Sequence, residues 1–205
     1  MSFLEGDGKS ALARAVVDFE ARTAAELVVV VEPRAGHYLH VGVVFGALAA
    51  VLGLAFLLYG EPSFALHWFI VDPVLVGLLA GWLGSGWSPI ERALTPAKRR
   101  AAWVLRAARA AFVARGVADT RGRTGVLVYV AVGERQVVVL ADLGVRLAVP
   151  TAAWDRAVAP LQAAVARGER AVAVAPRLAA LAEVCGEHLP RQADDVNELG
   201  DEVHG

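Results

Sequence analysis

Between Tyr38 and Glu91 the sequence carries only two formal charges, Glu61 and Asp72. That gap holds two apolar runs, residues 41–59 and residues 64–84, separated by Gly60, Glu61, Pro62 and Ser63. Each run contains eleven Val, Leu, Ile or Phe residues. As a helix, the first is about 28 Å long, close to the thickness of a hydrocarbon core. Its large apolar residues favour insertion by about 3–7 kcal/mol in total. The expectation is a transmembrane helix over 39–60 and a second over 64–86. Asp72-Pro73 interrupts the second run and leaves two readings. Either the carboxylate sits inside the bilayer facing the first helix, or it lies shallower and caps a helix that begins at Pro73. A secretory leader does not fit, because some forty residues precede the first apolar run.

The flanks of the pair are unequal. Arg22 and Arg34 lie before it, and Arg92, Lys98, Arg99, Arg100, Arg106, Arg109 and Arg115 after it. The connecting loop has no Lys or Arg, so the positive-inside rule places both termini in the cytoplasm. Residues 91–125 carry nine positive against two negative charges, although the whole chain sums to −1. A basic stretch at a membrane exit reads as a patch for anionic lipid headgroups, with Lys98, Arg99, Arg100 and Arg106 as its contacts. Nucleic acid is not expected as a partner, since the stretch lacks interleaved aromatics and any binding motif. Apolar residues make up 57% of the chain, which excludes disorder over most of it, and Cys185 is the only cysteine, which excludes a disulfide scaffold.

Outside the apolar pair the periodicity predicts pieces of one small domain. Residues 10–22 form an amphipathic helix with Leu12, Ala15, Val16 and Phe19 on one face. Residues 26–31 are a β-branched run stopped by Pro33 and read as a strand buried on both faces. Thr95-Pro96 starts a helix that runs to about Arg115 and ends at Gly116, with Trp103, Ala107, Ala110, Ala111 and Phe112 as its apolar stripe. Strands follow at 126–132 and 136–141, joined by a hairpin-like turn at Gly133-Glu134. Pro150-Thr151 opens a helix through Trp154, Val158, Leu161 and Val165 that closes at Gly168. A last helix over 169–188 is bent at Pro176, and the tail from Pro190 is polar and loosely ordered. One strand in the first 36 residues cannot stay folded alone, so its partners must come from 124–141. The apolar pair is thus expected to interrupt a single α/β domain made of residues 1–36 and 92–189, with a polar tail over 190–205.

These pieces, in this order, resemble the TPM domain family. The resemblance lies in Glu26 to Val31 after a short helix, then Gly125 to Val130, Glu134-Arg135, Val137 to Leu140, Asp142-Leu143-Gly144-Val145 and Trp154. It is similar above all to a bacterial membrane-embedded subset, in which two transmembrane helices follow the first strand. That subset tends to carry a Cys-Gly pair and an Asp-x-Asn-Glu-Leu tail, here Cys185-Gly186 and residues 195–199. The resemblance implies a small α/β/α sandwich, and for some members a bound divalent ion or acid phosphatase activity. Where the family has an acidic residue followed by Asn, this chain has Arg123 and Thr124. A cation cannot serve as a hard-metal ligand, so neither a metal nor another cofactor is expected.

The loop Thr120-Arg121-Gly122-Arg123-Thr124-Gly125 is the strongest candidate site. Its guanidinium and hydroxyl groups suit a phosphate or carboxylate, and Thr120, Arg121, Arg123, Thr124 and Asp142 are its candidate ligand-binding residues. A plain connection lying on anionic lipid remains the alternative. Glu26, Glu32 and Asp142 are candidate acidic neighbours at strand ends. Cys185 and His188, three apart on a helix, suit either a thiolate pair or a buried thiol. His37 and His40 flank the first apolar run as interfacial residues, and Trp154 anchors the core. Two functions follow as expectations. The first is a non-enzymatic integral membrane protein that binds a membrane-protein partner or a second copy, in assembly or maintenance. The second is a membrane-tethered phosphatase-like hydrolase with no assigned catalytic residue.

Overall fold

The computed structural model describes residues 3–60, 65–85, 88–191 and 203–204. The fold is mixed α/β. Helix α1 (Gly8–Glu20) precedes strand β1 (Glu26–Glu32), and helices α2 (Leu39–Tyr59), α3 (Trp68–Gly84), α4 (Ser88–Leu94) and α5 (Ala97–Ala114) follow. Strands β2 (Gly125–Ala131) and β3 (Gln136–Ala141) come next, then helices α6 (Leu143–Ala148), α7 (Thr151–Arg167), α8 (Ala171–Val174) and α9 (Leu178–His188). Two compact units result: Met1–Ala35 with Ala101–Gly205, and Gly36–Arg100.

The first unit is built on a sheet of order β1-β2-β3. β1 runs parallel to β2 with Glu26 opposite Gly125 and Glu32 opposite Ala131, and β2 runs antiparallel to β3. Strands formed at opposite ends of the sequence therefore share one ladder. Six of the seven β1 residues and all seven of β2 are buried, because helices lie on both faces of the sheet. One face carries Leu27, Val29, Val31, Val126, Val128 and Val130 against α1, α7, α8 and α9. The other carries Val28, Val30, Leu127 and Tyr129 against α5. Unalternated Val runs are what two buried faces select.

Leu12, Val16 and Phe19 are the buried face of α1, and the helix lies two residues earlier than the spacing predicts. In α5 the stripe is rotated. Val104 and Ala108 are fully buried against the sheet, with the expected Ala107, Ala111 and Phe112 partly buried beside them, while Ala110 is exposed. The helix expected over 169–188 is broken into α8 and α9 by a 3-10 turn at Ala175–Arg177, where Pro176 supplies no N–H to continue the ladder. Two short helices, α4 and α6, were not expected. The loosely ordered tail also needs correction at its described end, where His204 forms a parallel bridge with Val30.

In the second unit α2 packs on α3. Helix α2, at 21 residues, is long and apolar enough to cross a membrane, while α3 is a shorter apolar helix of 17 residues. Their contact is made by glycines four apart, Gly42 and Gly46 on α2, Gly77 and Gly81 on α3. A Cβ on Gly46 would lie 2.6 Å from the Gly77 carbonyl oxygen, and one on Gly81 2.9 Å from that of Gly42. Most of the large side chains point the other way: Val43, Leu48, Leu52, Phe56, Leu78 and Trp82 are exposed, whereas Val41 and Leu57 are buried. α3 begins at Trp68, more than a turn before Pro73, so Asp72 does not cap it and lies half-buried within the helix. α4 packs on α2, and the Thr95 hydroxyl meets His40 Nε2 at 3.3 Å. Residues 88–100 thus belong with the apolar helices rather than with the second part of the α/β unit. The predicted connection at 61–63 and the 195–199 motif lie outside the described residues.

Candidate functional site

The loop before β2 is shaped by its own hydrogen bonds. Arg123 N–H donates to the Thr120 carbonyl at 3.0 Å, and Thr124 N–H donates to Thr120 Oγ1 at 2.9 Å. Thr120 is buried, so its hydroxyl serves the loop rather than solvent. Arg123 holds φ at +54°, a left-handed conformation that costs a non-glycine residue about 1 kcal/mol or more. That conformation turns its side chain onto β3. Arg123 Nε donates to Asp142 Oδ2 at 2.7 Å and Nη2 to Oδ1 at 3.0 Å, a bidentate pair.

Asp142 is committed in three directions. Beyond the guanidinium, Oδ1 accepts Leu143 N–H at 2.7 Å and so caps α6, while its own N–H donates to the Gly125 carbonyl at 2.9 Å. Burial alone would raise its pKa. The hydrogen bonds from Arg123 and Leu143 and the charge of Arg123 outweigh that and hold the carboxyl below its ordinary value. The same hydrogen bond and charge raise Arg123. Gly144 N–H donates to the Arg123 carbonyl at 2.8 Å, and a Cβ at Gly144 would run into the Gly122 carbonyl. The loop, the end of β3 and α6 form one latch.

The expected anion grip is therefore brought together only in part. Thr120, Arg123, Thr124 and Asp142 do converge. Yet Arg123 is spent on Asp142 and Thr120 on Thr124, so an incoming phosphate meets a neutralised pair rather than two cations. Arg121 is exposed on the same loop. The acidic neighbours are not brought together. Glu26 is at the Gly125 end of the sheet with Asp142, whereas Glu32 is at the far end, about 20 Å away at ~3.3 Å per residue. Among the described residues no group of three or more His, Cys, Asp or Glu is placed to hold a metal ion.

The far end holds a group that the sequence reading missed. Glu134, read as part of a hairpin-like turn, is 1% exposed, and its Oε1 accepts the Ala35 N–H at 3.0 Å. Burial, with the charges of Glu32 and Glu134, pushes the Tyr129 hydroxyl up to about 12. The turn itself bends at Arg135, with φ +53°, rather than at Gly133. A carboxylate in a four-residue turn gave no sign that it would fold inward to fix the chain after β1.

Cys185 is fully buried and its thiol is pushed up to about 12 by that burial, while His188 Nδ1 meets the Val184 carbonyl at 2.9 Å. The two do not form a thiolate pair. Trp154 packs partly buried against the main core. Lys98, Arg99 and Arg106 are exposed on α5, and Arg100 is half-buried. The glycine spacing of α2 and α3 is the other missed feature. It is visible in the sequence as Gly42-x3-Gly46 and Gly77-x3-Gly81 once small residues, rather than apolar ones, are counted.

Compared with family profiles and with curated proteins, the sequence matches none. Among solved structures, the fold is similar to the NMR structure of the BA42 protein from the psychrophilic bacterium Bizionia argentinensis. The TM-score is 0.60 at 17% sequence identity, over 99% of this chain and 95% of that one. At this identity the likeness is one of fold, and the fold it supports is the mixed α/β arrangement described above.

Proposed function

We propose that this is an integral membrane protein of TPM type, in which a cytoplasmic α/β/α sandwich is interrupted by a transmembrane hairpin and binds a membrane-protein partner. The observation that carries the reading is the inverted packing of α2 on α3, with glycines inside and Val, Leu, Phe and Trp outside. In water that arrangement exposes the surface most costly to hydrate. In lipid it is favourable, because backbones approach through small residues while large ones meet acyl chains. Chain parity supports the second crossing. β1 and β2 are hydrogen-bonded neighbours, so a chain that leaves through α2 must return, and α3 is the apolar helix available for it. Asp72 is the fifth residue of α3, about 6 Å from its start, and sits shallow, where a carboxylate costs less than at the centre. Lys98, Arg99 and Arg106 meet anionic headgroups at the cytoplasmic exit, beside Arg100.

Binding is favoured over hydrolysis by the Arg123–Asp142 pair, which places a guanidinium against the Asp142 carboxylate. The test has two arms. A reporter fused after Gly205 should be active in the cytoplasm and silent in the periplasm. Purified protein in lipid nanodiscs should leave a generic phosphomonoester intact and co-purify with a discrete membrane complex. Turnover that disappears in Asp142→Ala would instead establish the hydrolase, and periplasmic reporter activity would reverse the topology.

A further inference from the structure

β1 is one of the two edge strands of the sheet, and the backbone groups of its even-numbered residues face β2. Glu26 N–H donates to the Thr124 carbonyl at 3.3 Å, and the Glu32 carbonyl accepts Val132 N–H at 3.0 Å. Leu27, Val29 and Val31 therefore turn their backbone groups outward, along an edge that invites another strand. The protein covers this edge with separate pieces of itself. Leu27 N–H donates to Glu20 Oε1 at 3.1 Å. Farther along, Val31 N–H donates to the His204 carbonyl at 2.7 Å, and His204 N–H donates to the Val29 carbonyl at 3.1 Å. His204 thus pairs in parallel with Val30. Val203 before it is 3% exposed, in the same apolar cluster as Leu27, Val29 and Val31. Arg115, after the end of α5, reaches the His204 ring, with Nη1 and Nδ1 3.2 Å apart.

We propose that the outer edge of β1 is a binding site for an extended peptide, and that residues 203–204 occupy it in cis as a surrogate ligand. The edge offers what strand addition requires: alternating donors and acceptors, plus an apolar slot for one side chain. The slot takes a β-branched residue of valine size. The sequence before the tail residues is acidic, with Asp194, Asp195, Glu198, Asp201 and Glu202, and Arg115 beside His204 offers a complementary charge, so the ligand class is an acidic extended peptide. The cis contact is short. Among the described residues, two backbone bonds, one buried side chain and the Arg115–His204 contact hold it, against seven paired residues between β1 and β2. A partner strand that extended the pairing to Leu27, taking the place of Glu20 Oε1 there, would compete with residues 203–204 for the edge. The site supplies the binding reading above with a surface and a ligand class, but its geometry does not depend on the hairpin lying in lipid.

The experiment uses the full chain in nanodiscs, with a fluorescent peptide of residues 194–205 as the probe. Val203→Asp should release the tail from its slot, and this variant should bind the peptide saturably, at least tenfold more tightly than the wild type. A peptide carrying the same Val203→Asp change should not bind. The Val31 amide should exchange at least tenfold faster in the variant, while the Val30 amide keeps its protection. A folded Val203→Asp protein without saturable peptide binding overturns the proposal, as does unchanged exchange at Val31. Should Val203→Asp disturb the core, His204→Pro removes the donor to Val29 and leaves Val203 in place. It must give the same opening at Val31, or the proposal fails. Membrane retention measured on the same samples reports separately on the hairpin.

Discussion

Replacing Leu48 and Leu52 by aspartate separates a bilayer-spanning α2 from a water-exposed one, because the two environments predict opposite outcomes. Both side chains point outward, at 56% and 62% exposure. Leu48 lies one residue from the middle of a helix that spans 39–59. In a bilayer each Leu→Asp change gives up about 0.3–0.6 kcal/mol and adds about 2.5–3.5, so each costs about 3–4 kcal/mol. The pair costs about 6–8 kcal/mol, against the roughly 3–7 kcal/mol with which the run favours insertion. The double variant should therefore fail to integrate, and a single variant should integrate in part. In water the same changes fall on exposed positions and should shift stability by no more than about 0.5 kcal/mol each. The assay is the fraction retained in membranes after alkaline extraction. A double variant retained as fully as the wild type refutes the reasoning, and so does a wild type that is itself extracted.

Gly46→Leu attacks the same hairpin from inside. Because even a Cβ lies 2.6 Å from the Gly77 carbonyl, the helices must separate, at a cost of about 1–3 kcal/mol; steric trapping in bicelles should read it, and an unchanged helix–helix affinity would show that the glycine seam is not the interface. Asp142→Ala removes the cap of α6 and the partner of Arg123, and the cap alone costs about 1 kcal/mol. Because the Asp142 carboxyl is held below its ordinary value, its contribution is complete above about pH 4 and lost as the pH falls through the lower native value. Urea unfolding of wild type and variant should therefore differ at pH 7 and converge in acid, and a constant difference contradicts the pairing. Cys185, with its thiol at about 12, should resist iodoacetamide at pH 8 until the protein unfolds, and rapid native labelling would contradict its burial.

The elements that sequence made legible are those whose signal is local and dense. Four valines in a row between Glu26 and Glu32 mark β1 as doubly buried, and their lack of alternation already implies parallel neighbours. Leu12, Val16 and Phe19 mark the face of α1. What was illegible depends on partners distant in the chain or on subtracting rather than adding apolar bulk. Arg123 and Asp142 are nineteen residues apart, and nothing in either segment says that one will neutralise the other; the loop therefore reads as a cationic cradle when it is a latch. Of the two readings of Asp72-Pro73, the helix start fails, since α3 begins at Trp68 and the apolar residues before the proline are already helical. The seam between α2 and α3 escaped a count of large residues because it consists of their absence. His204 sits in a polar tail that promises no order, and only the unfilled edge of β1 accounts for its place.

The position of the apolar insertion has its own logic. Parallel neighbours such as β1 and β2 need a crossover that returns over one face of the sheet, and α5 supplies it by packing Val104 and Ala108 on Val28, Val30 and Leu127. Everything between Glu32 and α5 is free of that duty. The crossover from Glu32 to Gly125 spans 92 residues where about 30 suffice, and the added closure entropy is only about 1 kcal/mol. It is smaller still if α2 and α3 fold on each other first, since a hairpin brings its own ends together. A lipid anchor can thus be inserted at this point without altering a single rung of the sheet.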